Sequence, residues 1–231
     1  HLAGTVLNVA RKNPRLAVEL DILGTLNVLE ACVKNHVGKI VYASSFYVYD
    51  GLSPRAEVDE EIIPNLFGAE MFGVVKIAAE RLVYEYERKY GLRYVILRYG
   101  PIYGPSRRCT SVICDFIKMG LEKKPIVIWG RGERKNQYTY VEDVVEGSVK
   151  AMGYDNEVFN LISPERVAIR EVAEILSKKY GFTVDYDLTK LEGPSMPYIS
   201  PQKAIEKLGW KPTPLEEGIE KTYKGFKKKP L

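Results

Sequence analysis

Two short, nearly unbroken apolar runs, Lys39-Ile40-Val41-Tyr42-Ala43 and Tyr94-Val95-Ile96-Leu97-Arg98-Tyr99, constrain this chain more than any other feature. Strands buried on both faces read as continuous apolar stretches, whereas strands with one wet face alternate. Between the two runs, Val75, Ala78, Ala79, Leu82 and Tyr86 keep helical spacing, and Glu80, Glu85, Arg88 and Lys89 fill the wet face. Strand, helix and strand in that order predict neighbouring parallel strands, with any chemistry at their carboxyl ends.

The segments at those ends are therefore the ones to examine. The first run leads into Ser44-Ser45-Phe46-Tyr47-Val48-Tyr49 and the second into Gly100-Pro101-Ile102-Tyr103-Gly104-Pro105. A polar, Pro-containing loop from Gly51 to Glu70 ends where the helix of Phe72-Gly73-Val74-Val75-Lys76 begins. Upstream, Ile22, Leu26, Leu29 and Val33 lie on one face of a helix within Leu16 to His36. Gly24 inside it costs about 1 kcal/mol against alanine, which predicts close packing on a neighbour. Further helices are predicted on Ile113, Phe116, Ile117 and Gly120, on Val144, Val145, Ser148, Val149 and Met152, and on Ile169, Val172, Ala173 and Leu176.

Composition excludes several classes. With 45% hydrophobic and 28% charged residues in 231, the chain can bury a sizeable core. The net charge of +4 owes part to Lys227-Lys228-Lys229, a solvated lysine end, and makes no case for nucleic acid. No apolar run approaches the roughly 20 residues that span a bilayer, so a soluble, cytoplasmic protein with no membrane partner is expected. Cys32, Cys109 and Cys114 are odd in number and lack metal-ligand neighbours, which favours free thiols. Two histidines, His1 and His36, are too few for a zinc site or a triad, and no metal is expected.

Taken in order, the segments resemble the extended short-chain dehydrogenase/reductases, specifically the NAD-dependent epimerase/dehydratase family in its UDP-glucose 4-epimerase-like branch. His1-Leu2-Ala3-Gly4 is similar to H-x-A-[AG], Asp21 to Glu30 to N-V-x-G-T-x-N-[VL]-L-E, and Ser45 to Tyr49 to S-x-x-V-Y. Lys76 takes the lysine of Tyr-x-x-x-Lys, and Leu97 to Pro105 is similar to L-R-x-x-N-V-Y-G-P. Gly130 to Asp143 resembles G-x-G-x-x-x-R-x-[FY]-x-Y-V-x-D, and Lys203 to Pro212 resembles K-A-x-x-x-L-G-W-x-P.

The resemblance implies an α/β fold: a Rossmann-like, doubly wound parallel sheet lacking its N-terminal strands, with a smaller α+β substrate-binding lobe. Residues 1–107, with 138–162 returning to them, would form the later part of the NAD-binding domain; 108–137 and 163–231 would form the lobe. No G-x-x-G-x-x-G occurs, so roughly 80 to 100 residues at about 30 per βαβ unit are expected to be missing ahead of His1. The apolar sheet edge left there would be covered by an unseen amino-terminal part or by another chain.

By the same resemblance Ser45, Phe72 and Lys76 hold the catalytic positions. Ala3, Gly4, Asp21, Ala43, Lys76, Pro101 and Ile102 would meet NAD, with NADP an alternative. Ser45, Phe46, Arg134, Lys135 and Asn136 would meet a nucleotide-sugar substrate, and the Phe72–Tyr90 helix would pair two chains in a homodimer. In the family a tyrosinate removes the hydroxyl proton while NAD takes a hydride from the carbinol carbon. A lysine one helical turn away lowers the phenol's pKa from about 10. Here the tyrosine position is Phe72, the asparagine of the first helix is Asp21, the diphosphate-binding asparagine is Pro101 and the phosphate-binding arginine is Asn136. Phe46-Tyr47 also replaces the acidic pair of the sugar dehydratases, which disfavours dehydration. Tyr47, Tyr49 and Glu70 are the nearby groups that could substitute for the tyrosine; Tyr49 matches a position often packed beneath the loop, and Glu70 reads as a solvated carboxylate at a helix start. Three readings follow: an epimerase-type oxidoreductase impaired or altered at Phe72, a non-catalytic binder of NAD or a sugar nucleotide, and an NAD(P)-dependent reductase or dehydrogenase whose substrate lacks the diphosphate.

Overall fold

The computed structural model describes residues 1–65, 67–106 and 108–228; Lys229 of the lysine end lies outside them. Two short helices open the chain, α1 (Leu7–Lys12) and α2 (Pro14–Ala17). Pro14 starts the second, and the Asn13 side chain accepts from the Leu16 N–H at 3.1 Å. A π-helical turn, Val18–Leu23, hands over to α3 (Gly24–Lys34). β1 (Lys39–Ser45) runs into a 3₁₀ turn, Phe46–Tyr49; after β2 (Glu57–Val58) the long α4 (Met71–Tyr90) returns the chain to β3 (Arg93–Tyr99). Then come β4 (Ile102–Tyr103), α5 (Val112–Leu121), β5 (Ile126–Trp129), β6 (Lys135–Asn136), β7 (Thr139–Tyr140), α6 (Val141–Ala151) and β8 (Glu157–Leu161). The remainder is β9 (Val167–Ala168), α7 (Ile169–Tyr180), β10 (Val184–Asp187), β11 (Tyr198–Ile199), α8 (Gln202–Leu208) and α9 (Leu215–Lys228).

The two apolar runs are the first two strands of a parallel sheet ordered β1-β3-β8, with Ile96 facing Tyr42 on one side and Val158 on the other. Alternate residues of β3 feed opposite cores. Tyr94 and Ile96 pack with Leu29, Tyr42, Ala79 and Val83 under α3 and α4, whereas Val95 and Leu97 pack with Phe159, Leu161, Ala204 and Trp210 under α6 and α8. Both faces are thus covered by helices, as the continuous runs require. Among the described residues no strand pairs with the outer edge of β1; only the backbone of His1 lies there, donating to Val41 O at 2.7 Å and accepting from Ala43 N–H at 3.1 Å. A separate core, with Ile113, Phe116, Ile117, Ile128, Leu176 and Ile219, joins α5, β5, α7 and α9. No helix among the described residues is long and apolar enough to cross a membrane.

Five expectations are corrected. Glu80 is not on the wet face of α4: it is buried and holds Arg98 of β3 in a two-pronged pair, Nε to Oε1 at 3.0 Å and Nη2 to Oε2 at 2.8 Å. In α6 the buried residues are Asp143, Val144, Gly147 and Ala151, while Val145, Val149 and Met152 are exposed. The reason is a close approach: a Cβ on Gly147 would lie 2.8 Å from Leu161 and 3.1 Å from the Trp210 indole, so small residues take the sheet side. The π turn rephases the first long helix, burying Asp21, Thr25 and Leu29 and leaving Ile22, Leu26 and Val33 half-buried. Gly24 follows that turn, and its absent Cβ would meet only Glu19 O at 3.6 Å, so tight packing is not its role. Finally, Cys109 and Cys114 are disulfide-bonded, and Cys32 alone is free.

Candidate active site

Ser45 is the last residue of β1, at the carboxyl edge of the sheet. It is buried, and its Oγ accepts the Tyr47 N–H at 3.3 Å, starting the 3₁₀ turn. That turn seats Phe46 and Tyr47 against the first turn of α4, where Phe72 and Lys76 lie one helical turn apart. The Phe72 ring packs with Ala10, Ala17 and Val75 and meets the Tyr47 ring nearly edge-on at 5.4 Å. Lys76 is buried beside it. Its Nζ lies 5.7 Å from the Phe72 ring centre, 5.6 Å from that of Tyr42, 3.4 Å from the Ala43 carbonyl oxygen that accepts from it, and 3.0 Å from Oδ1 of Asp21.

Asp21 reaches Lys76 because the π turn points it inward. Its Oδ2 accepts from Thr5 N–H at 3.0 Å and from Thr5 Oγ1 at 2.5 Å, whereas Oδ1 meets Lys76 by charge and accepts no hydrogen bond among the described residues. Gly4 borders the pair: a Cβ there would lie 2.5 Å from Asp21 Oδ1 and 3.2 Å from Lys76 Nζ. Ala3 is exposed beside it.

Adjoining this cluster is a cavity of about 880 Å³. Phe46 and Tyr47 bound it on the sheet side, Pro101 and Ile102 on the second loop, and Phe116, Met119, Ile128 and Trp129 in the lobe. Arg134 and Asn136 also line it; Asn136 donates from Nδ2 to the Tyr138 hydroxyl at 3.2 Å. Lys135 is exposed and takes no part in the lining. Pro101, lacking an N–H, contributes its carbonyl to Thr139 N–H at 2.9 Å.

The structure therefore brings Ser45, Phe72, Lys76, Asp21, Ala43 and Gly4 together, with Phe46, Pro101, Ile102, Arg134 and Asn136 around the cavity. Sequence reasoning missed Glu192. Its half-buried carboxylate also lines the cavity and accepts the backbone N–H of Arg131 at 2.8 Å and of Arg134 at 2.7 Å. Burial would raise this carboxyl's pKa, but the backbone donors of Arg134, Glu133, Arg131 and Gly132 hold it below the ordinary value. An aperiodic loop around Gly193-Pro194 offers no signal for such a residue. Glu70 is not a free solvated carboxylate either: Arg11 donates to it from Nε at 2.5 Å and Nη2 at 2.6 Å. Tyr49 is packed as expected, fully buried.

The parallel sheet thus ends β1 on a serine and places a lysine one turn into the helix α4 that follows. The sequence model of the NAD dependent epimerase/dehydratase family matches residues 1–161, and the chain belongs to that family. A UDP-glucuronate 4-epimerase of Thermodesulfobacterium geofontis is 33% identical over 230 residues, spanning 96% of this chain and 70% of that protein. The structure of a UDP-glucose 4-epimerase of Thermotoga maritima with UDP-glucose matches with a TM-score of 0.90 at 30% identity, covering 99% of this chain and 76% of that one. A UDP-glucuronic acid 4-epimerase of Bacillus cereus, solved as a tyrosine-to-phenylalanine variant with UDP-4-deoxy-4-fluoro-glucuronic acid and NAD, matches at 0.87 and 30% identity, covering 99% and 74%.

Proposed function

We propose that this protein is a nucleotide-sugar epimerase-type oxidoreductase that uses NAD, with residues 1–107 and 138–162 on the cofactor side and 108–137 and 163–231 forming the substrate lobe. The observation that carries this reading is the cavity of about 880 Å³ opening beside the cluster of Ser45, Phe72 and Lys76 at the carboxyl end of β1. Its apolar walls and the Arg134 guanidinium suit a ligand with a flat base and a negative charge. The residues fit the nicotinamide-ribose end of NAD: the Lys76 ammonium is a donor positioned by Asp21 Oδ1 at 3.0 Å and by the Ala43 carbonyl, and the side chain that Gly4 lacks leaves that pair its place. NAD, when bound, accepts and returns a hydride at the sugar carbinol carbon.

The chain's own groups would do the rest. Ser45 Oγ hydrogen-bonds the reacting sugar oxygen, Phe46 and Ile102 exclude water, and Arg134 anchors the anionic end of the substrate. The relatives with UDP-sugars and NAD support the substrate class. Phe72 favours a second reading, binding without turnover; a relative carrying a tyrosine-to-phenylalanine change holds both a sugar nucleotide and NAD. The form this reading carries is a cytoplasmic homodimer paired through the Phe72–Tyr90 helix. Beside that helix the π turn exposes Leu20 and Leu23, and light scattering is expected to give twice the mass of a single chain.

Calorimetric titration of UDP-glucose and UDP-glucuronate, with and without NAD, tests the proposal. Saturable binding of one of them, with 4-epimerisation raised by Phe72→Tyr, is expected. No binding of either overturns it; binding with no turnover in wild type or Phe72→Tyr leaves the second reading.

A further inference from the structure

Phe72 puts a hydrocarbon ring where an acid-base group is needed, and three nearby groups could take over. Two of them are already committed. The Tyr49 hydroxyl has Asp59 O and Asn160 Oδ1 each at 2.9 Å as acceptors for its one proton, and it accepts from Arg98 Nη1 at 2.7 Å. The Glu70 carboxylate is gripped by Arg11. Tyr47 differs from both: it lines the cavity, its ring lies against Phe72, and its hydroxyl makes no hydrogen bond among the described residues.

We propose that Tyr47 is the catalytic hydroxyl of this site, exchanging a proton with the carbinol oxygen of the sugar in place of the residue that Phe72 replaces. The proposal rests on the epimerase reading and adds a residue to it. The position is fixed rather than mobile. The Tyr47 N–H is held by Ser45 Oγ, its carbonyl accepts from Asp50 N–H at 3.1 Å, and the start of α4 sits directly on it. A Cβ on Gly73 would lie 2.5 Å from Tyr47 O, so only glycine next to Phe72 permits this seating. The backbone of Tyr47 is thus held on both sides, and its ring rests between Phe46 at 4.6 Å and Phe72 at 5.4 Å, which orients the phenol as a preorganised catalytic group requires.

The proton balance closes. As the sugar is oxidised, its O–H bond breaks, the proton passes to the Tyr47 phenolate oxygen and the O–H electrons become the second bond of the carbonyl, while the C–H bond breaks and its electron pair leaves with the hydride that bound NAD would accept. As the keto oxygen is reduced, the same proton returns, and the phenolate is regenerated. Burial raises the phenol's pKa, Arg134 and Arg11 oppose that rise, and the Glu70 and Asp50 carboxylates add to it. Tyr47 is therefore protonated at neutral pH, and the active phenolate grows about tenfold per pH unit on the way up.

Four forms of the full-length protein test this with NAD and UDP-glucose or UDP-glucuronate: wild type, Tyr47→Phe, Phe72→Tyr and the double variant. Tyr47→Phe is expected to lower turnover about 10²- to 10⁴-fold with sugar-nucleotide affinity within about 3-fold. Wild-type turnover should climb from neutral into alkaline pH, and this climb should vanish in Tyr47→Phe. The double variant, with its phenol at position 72, should recover turnover and reach its plateau at lower pH. Wild-type turnover that survives in Tyr47→Phe with an unchanged pH profile overturns the role of Tyr47 alone. Loss of affinity in step with turnover also overturns it, marking Tyr47 as a wall. No turnover in either wild type or Phe72→Tyr overturns the epimerase reading and this role together.

Discussion

The Lys76 ammonium lies 3.0 Å from Oδ1 of Asp21, and both side chains are buried. The lysine one turn beyond Phe72 is thus held by a carboxylate from the π turn, which Thr5 holds in turn. A buried charge stripped of its partner is expensive, because desolvation is no longer offset. Asp21→Ala is therefore expected to cost about 3–5 kcal/mol in urea unfolding, and Asp21→Asn most of that, since it keeps an acceptor for Thr5 but leaves the Lys76 charge uncompensated. A loss below about 1 kcal/mol for Asp21→Ala would show that solvent reaches the pair.

Glu80 and Arg98 form the second buried pair, joined by Ser44 Oγ, which donates to Glu80 Oε1 at 2.5 Å. This links α4, β3 and the residue before Ser45. Arg98→Met alone should destabilise by about 3–5 kcal/mol, and adding Glu80→Leu should recover much of it, because no uncompensated charge remains. If the double variant is no better than the single one, the pair acts through hydrogen bonds that leucine and methionine cannot replace.

Glu192 makes the lobe's side of the cavity sensitive to acid. Its pKa in the fold is held below the ordinary value of 4.5, so its tie to the Arg131–Arg134 backbone is fully present above that value. The tie is lost as pH falls through the lower, folded pKa. Amide exchange at Arg131 and Arg134, corrected for the intrinsic pH dependence, should speed up in that acid window. Glu192→Gln should show the faster exchange already at neutral pH. Equal protection in wild type and Glu192→Gln at neutral pH would contradict this.

The Cys109–Cys114 bond ties the cavity wall to the first turn of α5. Thiol titration of the native protein should find one group, Cys32, and titration after treatment with a dithiol reductant should find three. Three thiols before reduction would return these residues to the free state that their number and spacing suggest.

The sheet was legible because burial on both faces leaves an unbroken apolar run: Lys39–Ala43 and Tyr94–Tyr99, with a helix between them, read as neighbouring parallel strands. Ser45 and Lys76 were legible as positions in an ordered set of motifs, and the structure gathers them at one sheet edge. Faces were less legible where a distant residue decided them. Glu80 is polar and reads as wet until Arg98 meets it, and Val145 and Val149 read as core until Leu161 and Trp210 leave room only for Gly147 and Ala151. Glu192 was illegible, because its partners are backbone amides about 60 residues away across an aperiodic loop.

The sequence by itself determined the parallel α/β architecture, the family, and the absence of a phenol at position 72, since each is a matter of local pattern or residue identity. Only the tertiary structure decided that Asp21 pairs with Lys76, that Cys109 bonds Cys114, and that Tyr47 alone of the candidate groups faces the cavity beside Phe72. Charge, redox and proton-transfer partners are set by which distant backbones approach one another, and that distance is not written in the spacing of residues along the chain.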